Sequence, residues 1–199
     1  SLFSTMYSGA CMDVIPECVK LDIQALNRHF IEHNVTHIGI TTQVAKMFIS
    51  QIEETSLKIL LTGGEKLGPV NDVRNYRMVD VYGPTEAIDY VTLIDIKERI
   101  DPSSIGYPNN NTKAYVLDKE LRRVPLGAVG ELYFSGPQLA DGYLNREEET
   151  AKAFISNPFE ENEEYGKIYS TGDVARVLPD GTYGIIGRRD GQVKVRGTS

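Results

Sequence analysis

The sequence predicts an α/β protein in which a mainly parallel sheet with flanking helices is followed by a β-rich, distorted-barrel lobe. Helical and strand periodicity alternate through the first half, which is typical of parallel strands connected by helices. After Ile100-Asp101-Pro102 the helical period largely disappears, and short strands with turn signals replace it. We therefore expect two sub-domains, residues 1-102 and residues 103-199.

The first sub-domain begins its clear alternation at Asp22, a residue type that caps helix N-termini. Ile23, Leu26 and Phe30 share one face at helical spacing, which predicts a helix to about Asn34. The other elements predicted here are a strand at about 10-15, strands at 35-40, 57-62 and 90-96, a strand from Met78, and a helix at 42-52.

The second sub-domain is predicted to be a small antiparallel sheet or distorted barrel. Pro179-Asp180-Gly181 is a hairpin signal between two predicted strands, at 173-178 and 182-186. The other elements predicted here are strands at 114-117, 130-135, 167-170 and 192-196 and one helix at about 146-154.

Composition restricts the class of partner. The chain has 199 residues, of which 41% are hydrophobic, and this is enough for a buried core. Its 21 Lys and Arg against 28 Asp and Glu give a formal charge of -7, which argues against nucleic acid or a membrane surface as partner. No apolar run approaches the roughly 20 residues that span a bilayer, and no signal peptide opens the sequence. Small ligands and a cytoplasmic location are expected.

The two cysteines and three histidines are given structural interpretations. Cys11 and Cys18 fit a reducing compartment better than a disulfide framework, and we expect them to be small buried hydrophobic residues. His29, His33 and His37 suggest a metal site, but no carboxylate or Cys completes a ligand set in the sequence. Solvated histidines are therefore expected.

The stretch from Met78 to Glu86 concentrates the most chemistry. Its apolar residues predict a buried strand, which Gly83-Pro84 must end because Pro has no backbone N–H. The strand then presents Tyr82, Thr85 and Glu86 at its carboxyl edge, where α/β sheets bind ligands. An aromatic ring, a hydroxyl and a carboxylate suit a nucleobase, a phosphate and Mg²⁺, although a solvated turn explains these residues equally well.

Later in the chain, Asp173 follows a Gly turn, where its carboxylate can accept two hydrogen bonds from a ribose diol. Taken alone, this cluster and the charged turn after Gly187 are ordinary turn chemistry. Four motifs occur in order: Val81-Tyr-Gly-Pro-Thr-Glu86, Gly130-Glu-Leu-Tyr-Phe-Ser-Gly136 continuing to Asp141-Gly-Tyr-Leu144, Tyr169-Ser-Thr-Gly-Asp173, and Gly187-Arg-Arg-Asp-Gly-Gln-Val-Lys-Val-Arg-Gly197.

Together these motifs resemble those of the adenylate-forming superfamily, most closely the amino-acid-activating adenylation domains of nonribosomal peptide synthetases. The resemblance implies ATP and Mg²⁺ as cofactors. It implies that Tyr82 stacks on adenine, that Gly64 lies along the base, and that Asp173 binds both ribose hydroxyls. The other implied roles are α-phosphate contact for Thr85, Mg²⁺ binding for Glu86, ribose contact for Arg188 and the hinge of a C-terminal lid for Asp190.

The implied reaction joins a substrate carboxylate to the α-phosphate of ATP and then transfers the acyl group to a carrier-protein thiol. The implied partners are an amino acid or other small carboxylic acid and a peptidyl carrier protein with a phosphopantetheine thiol. Two alternatives stay open. One is a D-alanine or other acyl carrier-protein or CoA ligase, and the other is a noncatalytic nucleotide-binding or carrier-docking module.

The resemblance also implies the wall of an amino-acid pocket: Gly39, Leu61, Gly63, Val81, Asp89 and Tyr90. Two glycines leave volume, and Asp89 is the deciding residue, since a buried carboxylate needs a donor or a cation. If Asp89 points inward, we expect a polar or basic substrate; the alternative is that it turns to solvent or accepts from a backbone N–H.

The sequence starts at Ser1 without Met, and the phosphate loop and lid of the resembled family are not found in it. We therefore expect a central fragment that binds adenosine nucleotides weakly and does not turn over by itself.

Overall fold

The structure is a computed structural model, and it describes residues 2–68, 70 and 74–189. In this part of the chain two five-stranded sheets are present, one mixed and one antiparallel. The helices are α1 (Leu2–Tyr7), α2 (Ile23–Glu32), α3 (Thr42–Gln51) and α4 (Glu147–Ala153). The strands are β1 (His37–Thr41), β2 (Ile59–Gly63), β3 (Arg77–Tyr82), β4 (Thr92–Asp95), β5 (Tyr107–Pro108), β6 (Lys113–Leu117), β7 (Gly130–Ser135), β8 (Phe154–Ser156), β9 (Lys167–Val177) and β10 (Tyr183–Arg188).

The first sheet has the order β1-β2-β3-β4-β5. Its first three strands are parallel, and β4 and β5 run antiparallel to their neighbours. In the parallel part Thr41 pairs with Gly63, and Gly63 pairs with Val81. The carboxyl ends of three strands therefore meet at one edge, which is where ligands bind in sheets of this kind.

Helices α2 and α3 cover this sheet with one apolar core. As predicted, α2 starts at its Asp22 cap, whose Oδ1 accepts a hydrogen bond from the Ala25 backbone N–H at 3.0 Å. Phe30, Phe48 and Leu60 are completely buried in the core between the helices and β2. This packing holds the sheet edge in a fixed position.

The second sheet has the order β10-β9-β7-β6, and β8 pairs with β9. The predicted hairpin between β9 and β10 is confirmed, with Gly181 at φ +83° and its N–H donating to the Leu178 carbonyl. The separate strands predicted at 167-170 and 173-178 are one continuous strand. Gly172 adopts φ +72° where the pairing register shifts, so the glycine marks a bulge rather than a strand end.

The two sheets meet near the sub-domain boundary predicted at residue 102. Strand β5 completes the first sheet, pairing Pro108 with Thr92, while the earlier Ser104 bridges Gly184 in the second sheet. The chain thus alternates between the sheets over residues 104–108, and the division into two sub-domains stays a prediction.

Several predictions about residues 10–29 are wrong. No strand forms at residues 10–15; the chain there is irregular up to a turn that begins at Glu17. Cys11 and Cys18 are free and exposed rather than buried, since this loop has no regular element to cover them. His29 is buried rather than solvated.

Among the described residues, no helix combines the length and the apolar character that crossing a bilayer requires.

Candidate active site

The site begins where β3 ends. Tyr82 is the last residue of the strand, and Thr85–Ala87 form a short 3-10 turn after the Gly83-Pro84 break. Gly83 is required by packing, because a Cβ there would lie 2.1 Å from the Asp89 carbonyl oxygen. The predicted strand and turn are confirmed, and the close approach folds residues 89 and 90 back onto the strand end.

A first cavity, of about 450 Å³, lies between this strand end and the second sheet. We call it the nucleotide cavity, after the ligand that the family resemblance implies for residues in its wall. Four residues that were predicted to contact ATP contribute to its wall: Gly64, Tyr82, Asp173 and Arg188. The rest of the wall is Glu65, Lys66, Asp80, Val81, Gly83, Arg99, Pro102, Ser103, Ser104, Ile105, Ile185 and Gly187.

Tyr82 and Asp173 meet across this cavity, although 91 positions separate them in sequence. The Tyr82 hydroxyl donates to Asp173 Oδ2, and Arg188 Nη1 lies 3.3 Å from Asp173 Oδ1. Burial, with the negative charge of Asp173 beside it, raises the pKa of Tyr82 well above its usual range. The phenol therefore remains a protonated donor, and the Asp173 carboxylate accepts from groups on both sides.

An ion pair in the same wall was not predicted. Arg99 Nη1 donates to Asp80 Oδ2 at 2.8 Å, with only 5% of the Arg99 side chain and 14% of the Asp80 side chain exposed. Burial raises the pKa of Asp80 to about 6, although the Arg99 charge opposes this. Residues two apart in a strand share a face, so the sequence alone is sufficient to place Asp80 on the same face of β3 as Tyr82. No such signal identifies Arg99, which follows a 3-10 turn after β4.

Glu86 and Thr85 lie outside the wall of the nucleotide cavity, on the turn that follows β3. Glu86 Oε1 accepts a hydrogen bond from the Tyr143 hydroxyl at 2.6 Å, and its backbone carbonyl accepts from the Ala140 N–H at 2.8 Å. Burial and the hydrogen bond to Glu86 raise the pKa of Tyr143. Tyr143 belongs to a motif noted in the sequence, but its contact with Glu86 was not predicted. Thr85 is exposed.

The Glu86 carboxylate suits a magnesium ion. Mg²⁺ is commonly held by one or two carboxylates while substrate phosphates and water supply the other oxygens. Oε1 is oriented by Tyr143, and Glu86 makes no ion pair with a described residue. A single fixed carboxylate beside the end of β3 therefore fits the part that a protein contributes to such an ion.

A second cavity, of about 470 Å³, opens beside the first and shares Gly64, Val81 and Gly83 with it. We call it the side-chain cavity. All six residues predicted to form the amino-acid pocket line it, together with others at the strand ends. The lining is Gly39, Ile40, Thr41, Leu61, Thr62, Gly63, Gly64, Val81, Gly83, Asp89 and Tyr90.

The two glycines predicted to provide volume behave differently. A Cβ on Gly63 would lie 2.3 Å from the Val81 carbonyl oxygen, so this glycine permits close approach of β2 to β3. A Cβ on Gly39 would meet nothing within 4 Å, so this glycine does leave the cavity open. Asp89 lines the cavity and is exposed, and its carboxylate makes no hydrogen bond or ion pair with a described residue. Tyr90 is half-buried.

The predicted hinge, Asp190, lies outside the described residues, as do Gln192, Val193 and Lys194. The site that the structure describes therefore ends at Arg188 and Arg189. Arg189 Nη1 forms an ion pair with Glu131 Oε2 at 2.6 Å, which ties the end of β10 to β7.

This chain is similar to a known family and to several peptide synthetases. A family described as AMP-binding enzyme matches residues 1–144. Bacitracin synthase 1 of Bacillus licheniformis is 42% identical over 196 residues, which cover 98% of this chain and 4% of that protein. N-(5-amino-5-carboxypentanoyl)-L-cysteinyl-D-valine synthase of Streptomyces clavuligerus is 39% identical over 207 residues, covering 96% of this chain and 25% of that protein.

A solved structure is similar in fold. It is NpsA-ThdA, an artificially fused adenylation-PCP di-domain NRPS from Klebsiella oxytoca, with a TM-score of 0.79 and 23% identity. The similarity covers 95% of this chain and 39% of that one. This chain spans 4% of bacitracin synthase 1 and 5% of surfactin synthase subunit 2 of Bacillus subtilis, so it corresponds to a small part of such proteins.

Proposed function

The chain belongs to the AMP-binding enzyme family, and from this premise we propose that it is the central part of an amino-acid-activating adenylation domain. In the proposed reaction a carboxylate oxygen of the amino acid attacks the α-phosphorus of ATP. An O–P bond forms, pyrophosphate leaves, and an aminoacyl-adenylate results. In a second step a carrier-protein thiolate attacks the acyl carbonyl carbon, and AMP leaves.

One observation carries this proposal. The nucleotide cavity and the side-chain cavity adjoin each other and share Gly64, Val81 and Gly83 at the carboxyl edge of the first sheet. An aminoacyl-adenylate has two parts of unlike chemistry joined at a phosphate, and two adjoining cavities match that outline. The substrate carboxylate and the α-phosphate are proposed to meet at the shared residues, beside Thr85.

The nucleotide cavity has groups suited to adenosine. The Asp173 carboxylate, which accepts from Tyr82 and lies 3.3 Å from Arg188, is proposed to accept from the ribose hydroxyls. The Tyr82 ring is proposed to stack on the base. Gly64 has φ +97° and no atom within 4 Å of a built Cβ, so its backbone leaves room for a flat ring.

Glu86 is proposed to hold Mg²⁺ and Thr85 to contact the α-phosphate. When bound, Mg²⁺ neutralises charge on the phosphate oxygens as the pyrophosphate leaves. Tyr143 orients the Glu86 carboxylate through its 2.6 Å hydrogen bond, so the side chain does not have to be ordered when ATP binds.

The side-chain cavity is proposed to select the amino acid. Its wall combines the apolar Leu61 and Val81 with the Asp89 carboxylate. The Asp89 carboxylate is exposed and makes no hydrogen bond or ion pair with a described residue, so it is available to a donor or cation on the substrate. We propose a polar or basic amino acid as substrate, a phosphopantetheine-bearing carrier protein as acceptor, and the cytoplasm as location.

The test is ATP–pyrophosphate exchange by the full-length protein across a panel of amino acids. Exchange that depends on one or a few amino acids is expected, and Asp173→Asn should weaken it by raising the KM for ATP. Exchange only with D-alanine would support the D-alanine ligase alternative. Tight ATP binding with no exchange for any acid would support a noncatalytic module.

A further inference from the structure

A second cluster of chemically active side chains lies outside the linings of both cavities. Asp13, His29 and His33 come together where the irregular loop before α2 crosses that helix, and none of them lines either cavity. We call them the Asp13–His29–His33 cluster. Its existence corrects the sequence interpretation, in which the histidines had no carboxylate partner.

The helix brings the two imidazoles together. His29 lies in α2, and His33 is its C-cap, so the two residues are four positions apart and on one face. Their rings stack with centroids 4.1 Å apart and planes at 25°. The loop then adds the carboxylate, because the half-buried Ile15 packs against the apolar core beneath α2 and draws Asp13 over the helix end.

The distances are compatible with a metal ligand set, and they are also those of hydrogen bonds between the imidazoles and the carboxylate. Asp13 Oδ1 lies 3.2 Å from His33 Nδ1, and Asp13 Oδ2 bonds His29 Nε2. One ligand atom from each residue lies within 4.8 Å of the others. In a tetrahedral site with metal–ligand bonds of about 2.0–2.2 Å, ligand atoms are about 3.3–3.6 Å apart. The ligand atoms are close enough to this spacing that rotation of the side chains can place all three around one metal ion.

The accessibility also suits an exchangeable ion. The His29 side chain is 10% exposed, whereas those of Asp13 and His33 are 27% and 49% exposed. One ligand is thus fixed in the protein, and two line an open approach from solvent. Three protein ligands leave a fourth position for water, as in many zinc sites.

We propose that Asp13, His29 and His33 form a binding site for a divalent transition-metal ion of the Zn²⁺ class. Two imidazole nitrogens and one carboxylate oxygen suit Zn²⁺, whereas Mg²⁺ and Ca²⁺ prefer sets made of oxygen alone. The ion joins the loop of residues 8–22, which has no helix or strand, to the C-terminus of α2. This proposal does not depend on the proposed adenylation activity.

The experiment measures zinc bound per chain by the full-length protein, in competition with a chromogenic chelator. The parent carries Cys11→Ser and Cys18→Ser, because exposed thiols also bind zinc. Asp13→Asn and His33→Gln are compared with His37→Gln, a matched control at an exposed histidine outside the cluster.

The parent and His37→Gln should each bind one equivalent of zinc more than Asp13→Asn and His33→Gln, and a tenfold excess of Mg²⁺ should not displace it. If Asp13→Asn does not fold, the exposed His33→Gln variant decides alone. Equal zinc content in the parent and in His33→Gln would overturn the proposal, as would ready displacement by Mg²⁺.

Discussion

Gly63 is the position at which one methyl group should disturb both cavities. It ends β2 and pairs with Val81 in β3, and Val81 lines both cavities. A Cβ on Gly63 would lie 2.3 Å from the Val81 carbonyl oxygen and 2.8 Å from Val81 Cγ2. Ordinary contact begins near 3.4 Å. The two strands would therefore have to separate by about 1 Å at the edge where the substrates are proposed to meet.

The cost follows from this distance. Forcing an extra methyl group into a packed interior costs about 1–3 kcal/mol, and here the obstructing atom belongs to the backbone and cannot rotate away. For a domain of 150–250 residues, each kcal/mol lowers Tm by about 2–4 °C. Gly63→Ala should therefore lower Tm by roughly 2–12 °C. It should also reduce exchange activity, because separating β2 from β3 displaces Gly64, which follows β2, and Val81, which lies on β3.

Gly39→Ala is the matched control, since Gly39 lies in the neighbouring strand and a Cβ there meets nothing within 4 Å. It should leave Tm within about 2 °C of the parent value, because only a surface-like methyl group is added. The measurement is thermal unfolding of the full-length protein, following the transition that ATP shifts upward. Equal Tm values for Gly63→Ala and the parent, or equal losses in both variants, would refute the close approach of β2 and β3.

Three further predictions concern single carboxylates. Glu86→Gln should lower kcat by about 10²-fold while changing AMP affinity less than about threefold, because charge develops at the phosphate and not at the base; comparable losses in kcat and in AMP affinity would contradict this. Asp89→Ala should shift the exchange profile toward apolar amino acids, and an unchanged profile would remove Asp89 from specificity. For Asp80, the pKa of about 6 in the folded protein lies above the unfolded value near 3.9. Its contribution to the free energy of unfolding is therefore fully present below about pH 4 and is lost as pH rises through 6. Urea unfolding at pH 4–7 should show the free energy of unfolding losing up to about 3 kcal/mol from this group, and Asp80→Asn should remove that slope; a slope retained in Asp80→Asn would assign the titration to other groups.

Local signals were sufficient to predict most strands of the first sheet and the helices that cover it. The Asp22 cap and the apolar spacing of α2 depend on residues within a few positions of each other, and both are confirmed. The strand and break around Tyr82 are also local, because Gly83-Pro84 excludes any continuation of the strand. In contrast, two short strands, β5 and β8, have two and three residues and leave no recognisable periodicity.

Contacts between distant residues could not be predicted from the sequence. Asp80 and Arg99 pair across the fold only because β3 lies beside β4, and Glu86 meets Tyr143 because the loop after β7 returns to the first sheet. The same reason explains the error at His29, whose carboxylate partner comes from a loop with no periodic pattern. The six predicted residues of the side-chain cavity were identified from the resemblance to a family, because composition and spacing alone do not reveal them.

The most direct test of the central claim is a crystal structure of the full-length protein with a non-hydrolysable aminoacyl-adenylate analogue of its preferred amino acid. We expect the adenosine in the nucleotide cavity, with both ribose hydroxyls within hydrogen-bond distance of Asp173, and the aminoacyl group in the side-chain cavity beside Gly39 and Asp89. An analogue whose ribose lies away from Asp173, or whose side chain lies outside the second cavity, would contradict the assignment of the two cavities to one reaction.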